Sequence, residues 1–385
     1  MERTFVFVGD PGPDAPHMLG VLKAAQVKPR RFPPDSEAAE IEGACPVAIV
    51  FAPDVPDRDQ RIVALRERAA LHRVPILTRV RARDGAAVQQ AFREGADGFL
   101  LDGEPAHFDA LVAAIVKEDS WQTVRAPAGR VILAHPDRPS RVRIARVLRR
   151  NGFDPHFAAT AGELAAAIVE VQARAVVAST SLPGPPLVEA LVGGGQSADG
   201  SPPAWLVLAP LEALEGLQRT LSSHAACRLA DEEADPEAST FLLNELLLPE
   251  QPKQRRSPRL LYGAMVAFGP EASGTTPFSG FTYNVNAGGM FIRTLTPLPL
   301  QSRLSIAFTP PFGRGTVCLT VQVVWRKEFG DEAGAATPPG MGVQIVDAWP
   351  ADLGGFEAGY QVLCERSNSG RTALGSISAP PAVPQ

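Results

Sequence analysis

The hydrophobic pattern of the chain changes once, near residue 260, and this change constrains the fold more than any other feature. Before it, short apolar runs alternate with stretches of helical periodicity, whereas after it apolar and polar residues alternate one by one. Strands separated by helices form parallel sheets, and short alternating strands with frequent turns form antiparallel barrels. The sequence therefore predicts a multidomain chain, in which α/β units precede an antiparallel β-barrel.

The α/β part contains the same order of elements twice. Apolar runs that predict strands lie at 4–10, 46–54, 74–80 and 95–103 in the first copy and at 130–137, 173–184, 203–210 and 226–233 in the second. Helical patterns such as RIVALRERAALH and RIARVLRRNGF lie between these runs. We expect two doubly wound, flavodoxin-like units at 1–125 and 126–250, related by an internal duplication.

The last third of the chain has the pattern of a small barrel. In TVCLTVQVVW, alternation predicts one buried face formed by Val317, Leu319, Val321, Val323 and Trp325. Gly and Pro interrupt these runs repeatedly, as they do between short antiparallel strands. We predict a barrel domain at 251–365. The stretch 366–385 has no period and is rich in Ser, Gly, Ala and Pro, which predicts a disordered tail.

Composition excludes several classes of function. The formal charge of −5 argues against general affinity for nucleic acid. Binding of an anion would therefore depend on a local cluster of basic residues. No apolar run has the length of a membrane span and the N-terminus lacks a signal-peptide pattern, which predicts a cytoplasmic protein. The four cysteines, Cys45, Cys227, Cys318 and Cys364, lack the spacing of zinc ligands or of a disulfide framework, so we expect no metal.

Both α/β units resemble the receiver domains of response regulators. A working receiver needs an acidic pair after strand one for magnesium, an acceptor aspartate after strand three, a hydroxyl after strand four and a lysine after strand five. In the first unit, Ala52 stands at the acceptor position and Asp102 at the lysine position. In the second unit, His135 and Pro136 replace the acidic pair and Ser179 stands at the acceptor position. We therefore predict units that keep the fold, contact protein partners and transfer no phosphoryl group.

A basic cluster precedes the barrel. The segment QPKQRRSPR contains Arg255, Arg256 and Arg259, which include an R-x-x-x-R pair. Two guanidinium groups at this spacing on a flexible arm can turn toward one ligand and grip a phosphate or stack on a purine. The alternative interpretation is a solvated linker between domains.

The sequence FTYNVNAGG follows the cluster. Strict alternation on this predicted strand places Tyr283 and Val285 inside and the amides of Asn284 and Asn286 on one exposed face. The same alternation sends Phe281 inside and Thr282 outside. Gly288 and Gly289 are expected to permit a turn of positive φ and close approach of the backbone. The alternative is an ordinary polar strand face that ends in a glycine bulge.

Together these segments resemble a PilZ domain, the bacterial receptor module for cyclic di-GMP, and most resemble the myxobacterial type. The resemblance rests on the arginine pair, NVNAGGMFIRT, PLPLQSRLSIAF, TVQVVW and PPGMGVQIVD, and it covers roughly residues 254–365. It implies that Arg255 and Arg259 contact phosphate and guanine, Asn284 a guanine edge, and Gly289 the ligand through its backbone. Asn286 stands where the family motif D/N-x-S-x-x-G has serine. The full predicted ligand set is Arg255, Arg256, Arg259, Asn284, Asn286, Gly288 and Gly289.

The resemblance predicts a non-enzymatic signalling protein that binds cyclic di-GMP and needs no other cofactor. No histidine lies beyond His224, so general base chemistry in the barrel would depend on scattered carboxylates. The first alternative is a ligand-independent scaffold or adaptor in motility or polarity control. The second is a phosphorylated response regulator, which the missing aspartates disfavour.

Overall fold

The structure is a computed structural model that describes residues 3–66, 68–71, 74–117, 129–185, 202–221, 226–233, 236–247, 257–313, 315–329 and 337–368. Within these ranges it contains two parallel α/β sheets with their helices, followed by a closed antiparallel barrel. No helix in the same ranges is both long enough and apolar enough to cross a membrane.

The first unit, which we call unit 1, has a five-stranded parallel sheet. Its elements are β1 (Thr4–Val8), α1 (Ala15–Ala24), β2 (Lys28–Phe32), α2 (Ala38–Gly43), β3 (Pro46–Phe51), α3 (Arg58–Arg66), β4 (Ile76–Val80), α4 (Gly85–Glu94), β5 (Gly98–Leu101) and α5 (Pro105–Lys117). The strand order is β2-β1-β3-β4-β5, with all pairs parallel. This 2-1-3-4-5 order is the flavodoxin-like arrangement that receivers share.

The second unit, unit 2, repeats this arrangement. Its elements are β6 (Gly129–Ala134), α6 (Arg138–Arg150), β7 (Phe153–Ala158), α7 (Ala161–Val171), β8 (Ala175–Ser179), β9 (Ala204–Ala209), α8 (Leu214–Leu221), β10 (Cys227–Asp231) and α9 (Pro236–Leu247). The sheet runs β10-β9-β8-β6-β7, which is the same order read from the other edge. The predicted repeat of the same order of elements is therefore confirmed.

Two strands were not predicted from the sequence, and both lie at sheet edges. In the described structure β2 pairs only with β1, and β7 only with β6. The β2 sequence KPRRF is exposed at its first four positions, and β7 contains Pro155. Proline and charged residues are typical of edge strands, because an edge needs no continuous hydrogen bonding and no fully apolar face. These two strands consequently lack the apolar signature of a central strand.

The described residues of the barrel domain form seven strands and a C-terminal helix. They are β11 (Leu260–Leu261), β12 (Met265–Pro270), β13 (Phe278–Asn286), β14 (Gly289–Arg293), β15 (Arg303–Phe308), β16 (Val317–Lys327), β17 (Gly340–Ala348) and α10 (Pro350–Asn368). Six antiparallel strands, β13-β12-β15-β16-β17-β14, close through a β13–β14 pairing, and the short β11 pairs with the end of β13. The predicted barrel is confirmed.

Strand β16 follows the predicted alternation for most of its length. Val317, Leu319, Val321 and Val323 all lie in the barrel core. The prediction for Trp325 is wrong: its side chain is 41% exposed and contacts Phe291 on the outside of the barrel. The register with β17 shifts between Val323 and Trp325, so a bulge reverses the alternation at the end of the strand.

The C-terminal helix was not predicted. Phe356, Tyr360 and Leu363 of α10 pack in the barrel core, and the Phe356 ring meets Phe308 edge to face at 6.1 Å. These contacts stabilise the helix through burial rather than through helix propensity. The helix continues to Asn368, three residues into the predicted tail, and the rest of that tail lies outside the described residues.

The outer face of β13 packs against both α/β units. Phe281 meets Phe92 of α4 at 5.5 Å, while Tyr283 meets Phe241 of α9 at 5.8 Å, both in edge geometry. Between them, Arg293 of β14 lies with its guanidinium carbon 3.6 Å from the centre of the Phe92 ring. The strand that carries the two predicted amides thus lies at a junction of three domains.

Candidate functional site

The strand with the two amides contains a bulge that changes which residues face outward. Thr282 is paired with Ile292 and Asn284 with the next residue, Phe291, so Tyr283 is the extra residue. Val285 lies in the barrel core, and Thr282 is buried, with its hydroxyl donating to the carbonyl of Tyr262 at 2.6 Å. The strict alternation expected from the sequence is wrong at this point.

The bulge exposes an aromatic face on the outside of the barrel. Phe281 packs with residues of unit 1, and Tyr283 packs with residues of unit 2. Both were predicted to lie inside the barrel, and this prediction is wrong. Thr282, predicted to face outward, instead binds the backbone of Tyr262 and Ala264, between β11 and β12. The long-range contacts of the aromatic side chains therefore cover a face that the sequence alone suggested was open.

The two asparagines differ in their surroundings. Asn284 is 7% exposed, so the predicted exposed position is wrong, and its side chain makes no hydrogen bond to another described residue. Asn286 is partly exposed, and its side-chain oxygen accepts a hydrogen bond of 2.8 Å from the N–H of Gly288. Asn286 therefore shapes the turn that follows, a role that asparagine commonly has.

The paired glycines close this turn without positive φ. Neither Gly288 nor Gly289 adopts a left-handed backbone, so the predicted positive-φ turn is wrong. A Cβ atom at Gly289 would lie 2.0 Å from the carbonyl oxygen of Val343, whereas one at Gly288 would lie 3.8 Å from the nearest atom. Gly289 is thus required by close approach of β17, and Gly288 remains exposed at the turn.

The end of the arginine arm, which we define as residues 253–259, reaches the same turn. Ser257 Oγ accepts a hydrogen bond of 3.2 Å from the N–H of Ala287. The Tyr360 hydroxyl donates to the carbonyl of Pro258 at 2.8 Å, and burial raises the pKa of this hydroxyl, which keeps it a donor. Arg255 and Arg256 lie outside the described residues.

Arg259 is the one arginine of the predicted set that the structure describes. Leu260 pairs with Val285 and Leu261 with Asn284, so extending this antiparallel register by one residue brings Arg259 opposite Asn286. Its Nη1 also lies 3.9 Å from a carboxylate oxygen of Glu245 in α9. The structure therefore brings together Arg259, the two asparagines and the glycine turn.

In unit 1, an arginine fills the place where a receiver holds its metal and phosphoryl group. Arg79 extends from β4, and its Nε lies 2.8 Å from Oδ1 of Asp102, the residue at the lysine position. Its Nη1 donates to the backbone carbonyl of Asp10. Ala52 is buried at the end of β3, as the alignment with receivers predicts. An internal cation thus neutralises the carboxylate of this pocket.

In unit 2, a carboxylate fills the equivalent pocket. Glu232, which follows β10, accepts hydrogen bonds from the hydroxyls of Ser179 at 2.8 Å and Ser181 at 3.3 Å. Nε2 of His135 lies 2.8 Å from the same carboxylate. Nδ1 of His135 accepts the N–H of Asp137, so in the neutral ring the proton is on Nε2, the nitrogen nearer Glu232. Ser179, at the acceptor position, is therefore already bonded within the protein.

Arg79, Glu232 and Arg293 were missed by the sequence analysis. A signal existed for Arg79, because a charge inside the apolar run VPILTRV is uncommon unless it is paired. Glu232 and Arg293 lie at strand ends, where charged residues are ordinary, and gave no such signal. Across the described part of the chain, no group of three or more His, Cys, Asp or Glu residues is arranged to hold a metal ion.

Residues 253–353 match the family model described as PilZ domain. The chain carries a PilZ domain. The match begins within the arginine arm and ends in the first turn of α10, so the PilZ domain is the barrel described above. No curated protein matches the chain.

Solved structures are similar to parts of this chain. YcgR from Escherichia coli in complex with c-di-GMP is 16% identical, with 31% of this chain and 49% of that chain covered and a TM-score of 0.24. The Bacillus subtilis inhibitor of motility MotI is 16% identical, with 30% and 52% covered and a TM-score of 0.24. The chemotaxis response regulator CheY4 of Vibrio cholerae is 16% identical, with 30% and 98% covered and a TM-score of 0.26. The strand order of each sheet and the PilZ match, rather than these partial similarities, define the domains.

Proposed function

We propose that this chain is a non-enzymatic cytoplasmic signalling protein that binds cyclic di-GMP through its PilZ domain. The observation that carries the proposal is the meeting of the arginine arm with the Asn284–Gly289 turn, through the β11–β13 pairing and the Ser257–Ala287 hydrogen bond. Guanidinium groups supply charge-assisted hydrogen bonds to phosphates, and amides supply a donor and an acceptor to a base edge.

The proposed ligand contacts follow from these chemical properties. Arg255 and Arg259, with Arg256 beside them, contact the phosphates and a guanine. Asn284 contacts a guanine edge, and the exposed turn at Asn286 and Gly288 lies against the ligand backbone. The buried Gly289 acts by allowing β17 to approach, which fixes the turn.

The two α/β units are proposed to contact protein partners rather than to receive phosphoryl groups. Their pockets are occupied by Arg79 in unit 1 and by the Glu232 network in unit 2. Such internal pairs compete with magnesium and phosphate for the same space and the same hydrogen-bonding groups.

Calorimetric titration of the full chain with cyclic di-GMP tests the proposal. We expect binding at micromolar nucleotide or tighter. Arg255→Ala or Arg259→Ala should each cost about 2–4 kcal/mol, roughly 30-fold or more, and Asn284→Ala about 1–2 kcal/mol. Arg303→Ala, which removes an exposed arginine bound to Glu271 in the turn after β12, is the matched control and should leave affinity unchanged.

Asn286→Ser tests the position at which the sequence departs from the family motif. If the larger amide restricts the ligand, serine should raise affinity. An unchanged or lower affinity would mean that the asparagine contributes a contact or that the turn needs its bond to Gly288.

A ligand-independent scaffold is the second candidate. The burial of Asn284 and the packing of Phe281 and Tyr283 on both α/β units favour it, because these contacts use much of the face that a ligand would approach. Absence of binding heat at near-millimolar cyclic di-GMP, with the chain shown to be folded, would establish the scaffold and reject the receptor.

A further inference from the structure

Helix α9 of unit 2 lies against the outer face of the PilZ barrel and is anchored there at two points. Glu237, in its first turn, pairs with Nη1 of Arg293 at 3.0 Å, and that arginine is only 3% exposed. One turn later, Phe241 meets the Tyr283 ring at 5.8 Å with an interplanar angle of 81°. These contacts fix the position of α9 relative to the strand that carries the ligand motif.

The same face of α9 presents a third residue to the barrel. Glu245 follows Phe241 by four residues and Glu237 by eight, and residues at this spacing lie on one side of a helix. Its carboxylate lies 3.9 Å from Nη1 of Arg259, and the two side chains are 23% and 37% exposed. This ion pair is longer and more solvated than the pair at Glu237, so it can exchange for another anion.

Glu245 and the proposed ligand are therefore both anionic partners of Arg259. In the free protein it pairs with Glu245, while in the proposed complex it contacts a ligand that carries two phosphodiester charges. The Glu245 carboxylate holds the guanidinium and also repels an incoming anion. Both effects make the free energy of ligand binding less favourable. Ligand binding must offset the loss of this pair.

We propose that Glu245 belongs to the ligand site as an internal competitor for Arg259, so that unit 2 lowers the affinity of the PilZ domain for cyclic di-GMP. The proposal rests on the function proposed above. It assigns to a residue outside the matched segment 253–353 a role in setting affinity. Any partner that draws α9 away from the barrel would release Arg259 and favour binding.

Titration of the full chain and three variants with cyclic di-GMP tests this proposal. Glu245→Gln removes the charge at nearly constant size and should tighten binding about threefold to fivefold, the range of an exposed ion pair. Glu245→Asp keeps the charge but shortens the side chain, so it should tighten binding by a smaller factor. Glu170→Gln, an exposed carboxylate on another helix of unit 2, is the matched control and should match the wild type.

Each outcome decides the question. Tighter binding by Glu245→Gln, with a smaller gain by Glu245→Asp, supports the competitor. Unchanged or weaker binding by Glu245→Gln overturns it and leaves the proposed function intact, since the wild type still binds. A gain for Glu245→Gln with none for Glu245→Asp would mean general repulsion rather than competition, and would also overturn it. No binding by any folded variant rejects the proposed function itself.

Discussion

The two α/β units share one strand order but fill the same pocket with opposite charges. Unit 1 places the cation of Arg79 beside Asp102, whereas unit 2 places the carboxylate of Glu232 among Ser179, Ser181 and His135. A receiver pocket needs both a metal-binding acidic pair and an acceptor carboxylate, and loss of either leaves charged groups without partners. The same pocket can therefore be filled from within by a cation, as in unit 1, or by a carboxylate, as in unit 2.

The largest effect should come from removing the cation in unit 1. Arg79→Ala leaves Asp102 largely buried without its partner, and breaking a buried ion pair costs about 3–5 kcal/mol. We expect this loss in the free energy of unfolding, measured by denaturant titration. Arg81→Ala removes a neighbouring arginine whose pair with Asp54 is 3.9 Å long and well exposed, so it should change stability by less than about 0.5 kcal/mol.

A second variant separates charge from packing. Arg79→Met with Asp102→Asn removes both charges and keeps most of the side-chain volume, so it should recover much of the stability that Arg79→Ala loses. If Arg79→Ala were as stable as Arg81→Ala, the ion pair would not hold the pocket of unit 1, and the comparison with unit 2 would fail.

A loss of stability of comparable size should appear in acid, and it should come from unit 1. Each unit has a buried histidine, but the two histidines have different surroundings. His135 of unit 2 is close to Glu232, whereas His107 of unit 1 lies 3.9 Å from the nearest carboxylate oxygen, on Glu104. Burial lowers the pKa of His107 from 6.5 to about 4. The unfolded chain therefore binds a proton at higher pH than the folded chain does. Stability should fall by about 3 kcal/mol as the pH decreases from 6.5 to 4, with the full stability present above 6.5.

The contribution of His107 is isolated by substitution. His107→Gln should flatten this part of the dependence of unfolding free energy on pH, relative to the wild type. His17→Gln, at an exposed histidine in the same unit, should keep the wild-type slope. Equal slopes for the wild type and His107→Gln would show that the buried ring is not the group that titrates.

The smallest effect should come from unit 2. Ser179 and Ser181 donate to different oxygens of Glu232, and Glu232→Gln removes the charge but keeps one oxygen, so one of the two bonds is kept and the other is lost. We expect a loss of about 1–2 kcal/mol in unfolding free energy. Glu233→Gln, at the next and exposed position, should change nothing measurable. A loss from Glu232→Gln as large as that from Arg79→Ala would remove the contrast between the two pockets.

Much of this protein could be predicted from local patterns. The repeated α/β order, the switch to a barrel and the positions of Ala52 and Ser179 at the ends of their strands all follow from periodicity and spacing. These features depend on residues close in sequence, because the backbone of a strand or helix imposes its period on the side chains that must be buried. The PilZ match likewise depends on a contiguous segment.

The tertiary structure decided which side chains cover the strand that carries the two asparagines. The bulge at Tyr283 turns Phe281 and Tyr283 outward, where rings from α4 and α9 cover them, and leaves Asn284 buried. A one-residue shift reverses every side chain beyond it, and no local pattern indicates where such a shift falls.

The charged groups that fill each pocket depend on the fold in the same way. Arg79 meets Asp102 across neighbouring strands, and Glu232 meets Ser179 from 53 residues away. The sequence determined which elements form, since their periods are local. Only the tertiary structure determined which charges pair and which face is covered, because those contacts join residues that the chain brings together after its elements have packed.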